Sequence, residues 1–494
     1  MTTHLKLRNS ERDFFRTVSQ AAVTNPFSAE RDALDLKLAG TDNTAVSSDA
    51  LIELVTAKLA ERLRLLRADG RCNPLQYQGE DRHLLQTACQ FDIYHRYRAP
   101  FDRFILTQQQ SGDRPLKLPF AAEVLCELNE LGYPDQDSRR YLEIFYQIRR
   151  AFYFIDTALV GTAPSIRSLR LQLWNNIFTH DINLYDRLLW NRMEDFSTLL
   201  LGETGTGKGA AAAAIGRSGF IPFDPASGCF RDSFTRTFIS RNLSQYPESL
   251  LESELFGHRK GSFTGAIDNH EGVFARCSPH GSIFLDEIGD VSTPVQIKLL
   301  QVLQERTFSP VGSHDKVRFN GRVIAATNRP LDDLRRSGQF RDDFYYRLCS
   351  DLIQVPPLRQ RLQEEPNELA LLTENILIRL LGPHGTDFRE EVCATLRKEP
   401  GPGYHWPGNV RELEQAIRRI LLTRQYHPAD TPEPTDLRDR LFAGIKRGAL
   451  DAQTLLAEYC RLLYRSCGTY EEVARRSGLD RRTVRKYIHI EREE

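Results

Sequence analysis

No stretch of this chain approaches the roughly 20 consecutive apolar residues that a membrane-crossing helix needs. Its N-terminus, MTTHLKLRNSERDFFR, carries charges with no apolar segment behind them. Neither a spanning segment nor a secretory leader is expected, and the sequence reads as a soluble cytoplasmic protein with no membrane partner. Surplus charge is missing as well. Lys+Arg and Asp+Glu number 66 each, which excludes a uniformly basic nucleic-acid binder and confines any DNA contact to a local basic patch. The nine cysteines are scattered, with no Cys-x-x-Cys pair, so they read as reduced, packed thiols rather than a zinc site or a disulfide framework. There is no evident internal repeat and no long low-complexity tract. What is present is ordinary globular composition, 40% hydrophobic and 27% charged over 494 residues, enough for about two to four domains.

The texture changes along the chain. Residues 1–47 are polar and read as irregular. From Ser48 a helical pattern begins, with Leu51, Ile52, Leu54, Val55, Leu59 and Leu63 near one broad face and Gly70 ending it. Further helices are expected near 81–94, 119–131 and 138–159. The last holds an aromatic stripe of Tyr141, Phe145, Tyr146, Phe152, Tyr153 and Phe154. Such a stripe can line a ligand pocket, but it is read here as core. A joint at 161–164 leads into alternating short β-rich runs, glycine loops and helices, the pattern of a parallel sheet wrapped by helices, to about 355. A helical stretch runs to about 424. The segment HPADTPEPTD at 427–436 holds three prolines and reads as a linker, and a small helical tail follows.

One apolar run, Thr198-Leu199-Leu200-Leu201, leads directly into Gly202-Glu203-Thr204-Gly205-Thr206-Gly207-Lys208, and a helix-forming 210–215 follows. Strand, glycine loop and helix in that order form the context of a phosphate-binding P-loop. Glycines let backbone N–H groups turn inward around phosphate oxygens, Lys208 adds a point charge, and the helix N-terminus adds its dipole. The usual hydroxyl residue after the lysine is replaced by Gly209, so a side-chain ligand for Mg²⁺ is absent there. Taken alone, the motif could also be a glycine turn that binds nothing. A second run, Ser282-Ile283-Phe284-Leu285, ends in Asp286-Glu287. This is a Walker B pattern, in which Asp286 would hold Mg²⁺ and Glu287 would polarise the attacking water. A third, Arg322-Val323-Ile324-Ala325-Ala326-Thr327, ends in Asn328, which fits a sensor of the γ-phosphate of ATP but could equally serve a turn.

With these motifs in this order, the chain resembles the sigma-54-dependent transcriptional activators, the bacterial enhancer-binding branch of the AAA+ ATPases, over roughly 165–424. The resemblance also rests on Glu252-Ser253-Glu254-Leu255-Phe256-Gly257-His258, Lys298-Leu299-Leu300-Gln301-Val302-Leu303-Gln304-Glu305 and Trp406-Pro407-Gly408-Asn409-Val410-Arg411-Glu412-Leu413. Gly261-Ser262-Phe263-Thr264-Gly265-Ala266 is similar to the family loop that contacts sigma-54, with Ser262 in place of its alanine. Phe263 and Thr264 are expected at the loop tip, where an exposed phenylalanine is costly without a partner. The resemblance implies further roles. Asn242 would couple Glu287 to the loop, Arg341 and Arg347 would be arginine fingers reaching a neighbouring subunit, and Arg411 would sense nucleotide from the lid. Fingers acting in trans imply a homo-oligomeric ring, a hexamer in the family. Gly209 also departs from the family's glutamate, and 179–189 and 221–231 look like extra sequence.

Near the C-terminus, 455–464 reads as a helix, Thr469 and Glu472 form a capping box for a second, and Ser477-Gly478-Leu479 is a tight turn. Asp480 can cap a third helix, 481–490. Val473, Ala474, Leu479, Val484 and Ile488 would face inward in a helix-turn-helix, while Arg481, Arg482, Arg485 and Lys486 load the last helix for phosphate and base contacts. A small bundle with a solvated basic face is the alternative. This end resembles the Fis-type tail of the family.

The expected architecture is therefore multidomain. A helical regulatory module of unreadable signal spans 1–160, with no receiver-like β/α pattern. An α/β AAA+ P-loop NTPase subdomain spans 165–355, its helical lid 356–424, a linker 425–449 and a helix-turn-helix 450–494. The expected function is a DNA-bound activator that binds upstream of a promoter and couples ATP hydrolysis, with Mg²⁺, to remodelling of sigma-54 RNA polymerase. Two rivals stand beside it, an AAA+ remodelling ATPase with a non-polymerase client and a DNA-binding regulator that has lost turnover.

Overall fold

The computed structural model describes residues 4–43, 46–401, 403–428, 438, 441–442, 444–445 and 450–489. The chain divides into two compact units, Met1–Ala394 with Pro402–Leu422, and Thr395–Gly401 with Thr423–Glu494. Most of the proline-rich segment read as a linker lies outside the described residues.

The centre of the first unit is a parallel sheet. In chain order the strands are β1 (Thr198–Leu201), the short pair β2 (Phe223–Asp224) and β3 (Cys229–Phe230), β4 (Phe238–Asn242), β5 (Ser282–Asp286), the pair β6 (Thr307–Phe308) and β7 (Val317–Arg318), β8 (Arg322–Thr327) and β9 (Asp351–Gln354). The main sheet has the order β4-β5-β8-β1-β9. Its central strands are the three apolar runs read from the sequence, and a parallel sheet covered on both faces requires such runs. Alternation sorts them. Leu200, Phe284, Ile324 and Ala326 face one core with Ala211, Ala212 and Ile215, whereas Leu199, Ile283, Leu285, Val323 and Ala325 face another with Val295, Leu299 and Val302. The register aligns the strand ends: Asn242 is opposite Asp286, Asp286 opposite Ala326, and Leu201 opposite Thr327. The loops carrying the candidate site therefore leave one edge of the sheet together.

The N-terminal region is helical, and it starts earlier than its polar sequence suggests. Helices Asn9–Val23 and Ala29–Ala39 occupy the segment expected to be irregular. Few apolar residues suffice there, because Phe15, Val18 and Ala21 repeat on one buried face and Ser28 caps the second helix through Arg31 N–H. Ser48–Ala68 buries Leu51, Ile52, Val55, Leu59 and Leu63, but Leu54 turns outward at 45% exposure. Helices Gly79–Arg96, Arg98–Ser111, Ala121–Glu130 and Asp135–Ala158 follow. The nine cysteines are free. Among the described residues no helix is long and apolar enough to cross a membrane.

Helix Asp135–Ala158 is the hinge of the packing, and both segments read as extra sequence lie against it. In the first, Tyr185 is buried and pairs with Gln147 at 2.7 Å, and Arg140 reaches Asp186. In the second, hairpin β2–β3 stacks Phe230 on Tyr146 with ring centroids 4.0 Å apart, and Phe223 N–H donates to Glu143 at 2.8 Å. Arg150, fully buried, donates to the carbonyls of Arg217 and Gly219, both at 2.7 Å, and Gln147 donates to that of Ser218 at 3.0 Å. These carbonyls follow the helix Lys208–Gly216 that starts at the glycine loop. One continuous apolar cluster runs from Phe101 and Leu128 through this junction to Ile353.

In the second unit, helices Ala452–Cys467, Tyr470–Ser477 and Arg481–His489 close on Cys460, Leu463, Val473 and Val484. Ile490, expected to end the last helix, lies outside the described residues.

Candidate functional site

After Leu201 the chain turns through 202–207, where Gly205 and Gly207 adopt φ of +78° and +106°. Gly205 is also a point of close approach: a β-carbon there would lie 2.2 Å from the Gly408 carbonyl oxygen. Lys208 Nζ donates to the carbonyls of Gly202 at 2.8 Å and Glu203 at 3.1 Å, so the ammonium sits inside its own loop. Burial lowers its pKa, against the charges of Glu287 and Asp286. Burial raises Asp286, which accepts a hydrogen bond from Glu287 N–H at 3.1 Å. Glu287 is raised first by burial and then by the neighbouring Asp286 charge. It also adopts left-handed backbone, φ 57° and ψ 45°. Strain of this kind in a non-glycine residue concentrates at functional sites.

Asn328 bridges the loops. Its N–H points to Glu287 Oε2 at 3.4 Å and its Nδ2 donates to Thr204 Oγ1 at 2.8 Å. From the other side, Asn409 Nδ2 donates to the Thr204 carbonyl at 3.0 Å, and Val410 N–H to the Gly205 carbonyl at 3.1 Å. Arg359 Nη1 reaches Glu203 Oε2 at 2.7 Å. Arg411 has its β-carbon 3.0 Å from where a Gly205 side chain would begin, and its charge acts on both Lys208 and Asp286. Residues 202–208, Asp286, Glu287, Asn328 and Arg411 are thus brought together. The Glu203–Arg359–Asn409 latch was not foreseen; the one clue in the sequence is an acid inside a phosphate-binding loop, which calls for a cationic partner. Thr206 Oγ1 is engaged with the Glu203 carbonyl at 2.8 Å. Gly209 has only Phe284 within reach of an added β-carbon, at 3.9 Å, so nothing steric demands glycine there.

Asp286 and Glu287 suit a hard divalent cation. Each is desolvated, and neither carries a side-chain cation in direct contact among the described residues, so oxygen lone pairs remain available. No group of three or more acidic, His or Cys side chains is assembled among the described residues. Mg²⁺ commonly needs only one or two carboxylates beside phosphate oxygens and water.

Other expected residues lie elsewhere in the single chain. Asn242 neighbours Asp286 in the sheet, but its Oδ1 accepts from Ser244 N–H and Oγ rather than engaging Glu287. Arg341 pairs with Asp343 at 2.7 Å, and Arg347 donates to the Leu303 carbonyl at 2.7 and 2.9 Å. The 261–266 loop closes on itself through Gly261 N–H to Ala266 O at 2.8 Å, and Ser262 packs on Gly312. Phe263 is half-buried, edge-on to His258 at 4.9 Å, and is not a bare aromatic tip in the single chain. The neighbouring imidazole offers that ring a closer contact than solvent does. Thr264 and Gly265 are exposed, and the large apolar residue left bare is Ile267, at 75% exposure.

On the last helix, Arg481 reaches Glu471 at 2.8 Å, while Arg482, Arg485 and Lys486 are exposed. Thr469 and Asp480 cap their helices as expected, through Glu472 N–H at 3.4 Å and through Arg482 and Thr483 N–H at 3.0 Å.

Residues 183–354 match the family described as the Sigma-54 interaction domain. The chain is 42% identical over 227 residues to the hydrogenase transcriptional regulatory protein HoxA of Cupriavidus necator, covering 46% of this chain and 43% of that protein. It is 36% identical over 316 residues to the Nif-specific regulatory protein of Azotobacter vinelandii, covering 62% of this chain and 52% of that protein. The chain thus spans about half the length of the curated relatives it matches. Among solved structures, NtrX from Brucella abortus in complex with ADP aligns with 21% identity and a TM-score of 0.41, covering 74% of this chain and 80% of that one. Over the matched segment, the resemblance to sigma-54-dependent activators and the AAA+ α/β core with its parallel sheet are borne out.

Proposed function

We propose, from the premise that residues 183–354 belong to the sigma-54 interaction domain family, that this chain is an ATP-driven activator of sigma-54 RNA polymerase. One observation carries the reading: Lys208, Asp286, Glu287, Asn328 and the lid residue Arg411 converge at one edge of the sheet, and the 261–266 loop is spliced between the two strands, β4 and β5, that end at Asn242 and Asp286. A change at that edge has a short path to the loop.

The 202–208 backbone and Lys208 bind the ATP phosphates. Lys208 exchanges its two carbonyl partners for phosphate oxygens, which relieves the cost of holding a buried ammonium. Asp286 is the residue that would hold Mg²⁺, whose charge neutralises phosphate oxygens when bound. Glu287 takes the proton from the attacking water. Asn328, already touching both Glu287 and Thr204, senses whether the terminal phosphate is present. Asn242 passes that state toward the loop. Arg341 and Arg347 leave their partners in the single chain and stabilise the transition state of the next subunit in a ring, a hexamer by family analogy. Thr264 and Phe263 deliver the stroke to sigma-54. The three C-terminal helices form a helix-turn-helix that holds DNA upstream of the promoter, and residues 1–160 regulate.

Transcription in vitro from a sigma-54 promoter tests the reading. Open-complex formation should require hydrolysable ATP and be absent with a sigma-70 holoenzyme. Thr264→Ala should hydrolyse ATP at the wild-type rate yet yield almost no transcript; normal transcript levels would remove the loop assignment. The DNA end is tested separately by titrating salt. Arg482→Ala and Arg485→Ala should each weaken binding and lower the slope of log K against log[salt] by about 1. An unchanged slope would return this tail to a bundle with a solvated basic face.

A further inference from the structure

The N-terminal helices line a cavity of about 410 Å³ that opens to solvent on one side. That is within the range of pockets that hold small molecules. Helices Asn9–Val23, Gly79–Arg96, Asp135–Ala158 and Pro164–Phe178 all contribute to its wall, so it is built by the fold and not by one loop. Phe91, Phe145, Ile148, Phe152 and Trp174 give it an apolar, largely aromatic lining suited to a flat ring system.

Its charges are already spoken for. Arg31 holds Asp35 at 2.8 Å, Arg149 holds Asp102 at 2.8 Å, Asp186 is held by Arg140 at 3.0 Å, and Arg98 lies 3.8 Å from Asp49. Burial, and then the charges of Arg31, Arg98 and Arg149, hold the imidazole pKa of His95, between Phe91 and Tyr94, well below its ordinary value. Gln90 lines the cavity; its Nε2 lies just beneath the cavity surface with no hydrogen-bond acceptor among the described residues, so a turn of the amide brings it to an acceptor there. A buried donor left unpaired is costly, so an acceptor arriving there is favoured.

We propose that this cavity is a binding site for an uncharged small molecule with a flat apolar body and one hydrogen-bond acceptor, which Gln90 receives. Helix Asp135–Ala158 transmits occupancy. Phe145, Ile148 and Phe152 face the cavity, while Glu143, Gln147 and Arg150 lie on the roughly opposite face, spaced i, i+4, i+7. That second face holds the backbone of Arg217, Ser218, Gly219 and Phe223, where the chain leaves the glycine-loop helix. A ligand that shifts or stiffens this helix therefore acts on that backbone. The proposal is independent of the ATPase reading.

The test uses the full chain and prodan, an uncharged naphthalene ketone whose emission shifts to the blue on burial. Saturable one-to-one binding is expected, weakened about tenfold by Gln90→Leu, which keeps the shape and deletes the donor, and abolished by Ile148→Trp, which fills the space. Amide hydrogen exchange with prodan bound should slow at 216–223. Absence of saturable binding to the wild type overturns the site. Undiminished affinity in Gln90→Leu does the same, and that variant answers the question even if Ile148→Trp fails to fold. Tighter binding of the anionic 1-anilinonaphthalene-8-sulfonate than of prodan overturns the ligand class. Unchanged exchange at 216–223 in the saturated protein overturns the transmission.

Discussion

Glu287→Gln should leave ATP bound and slow its hydrolysis by about 10²–10⁴-fold, the usual worth of a positioned general base. The substitution is nearly isosteric. The strained φ of 57° and the contact from Asn328 N–H can both survive, because the amide oxygen still accepts. What goes is the negative charge and the ability to take a proton. Losing that charge also removes repulsion at Asp286, so nucleotide affinity should hold or rise. Equilibrium binding of a fluorescent ATP analogue, measured beside phosphate release, separates the two effects; parallel loss of binding and turnover would mean Glu287 is structural. The pH profile adds a second reading. Burial and the Asp286 charge raise the Glu287 carboxyl above its ordinary value, and the base works only when deprotonated. The acid limb that this base gives to wild-type turnover should be missing from the residual activity of the variant.

Arg341→Ala should lower turnover by about 10³-fold while ATP still binds, the low end of what a trans-acting arginine supplies. Among the described residues of one chain this guanidinium holds only Asp343. The pair is solvent-exposed, and such pairs tether weakly, so release toward a neighbouring phosphate costs little. Because the proposed site borrows Glu287 from one subunit and Arg341 from the next, two inactive variants should complement. Mixing Arg341→Ala with Glu287→Gln creates interfaces where both native groups meet, and ATPase activity should return. If the mixture is as inactive as its components, the arginine acts inside its own subunit or not at all. Arg347 is a less clean probe, since its removal strips two hydrogen bonds from the Leu303 carbonyl that helix Thr293–Glu305 presents.

The candidate site was legible because its signals are local. Residues 198–208 and 282–287 each encode a strand, a turn and the chemical groups at its end, and a parallel sheet can only place those ends side by side. The lid residues were legible through resemblance and not through spacing. Side-chain destinations were not legible. Nothing in the order of residues says that Asn242 caps its own turn, that Phe263 leans on His258, or that Arg359 finds Glu203. The two earliest helices were hidden because a single buried face of Phe15, Val18 and Ala21 can hold a helix whose remaining surface is polar. The aromatic stripe of 138–159 was read as core, and the structure divides it. Tyr146 and Phe154 are interior, while Tyr141, Phe145 and Phe152 line the cavity. Which side of a helix meets a void depends on partners far away in sequence, and a periodicity carries no record of them.

The hairpin at 223–230 has a consequence for dissection. Its Phe230 is covered by Tyr146 and Phe104 from the N-terminal helices, Phe223 packs edge-on against Phe230, and the backbone beneath it is held by Arg150. A fragment beginning after residue 160 would carry that aromatic patch bare and those carbonyls unmet. Cutting the helical region away therefore opens a wound in a shared interior, and a truncated protein would report its own stickiness and slackness before it reported any role those helices have.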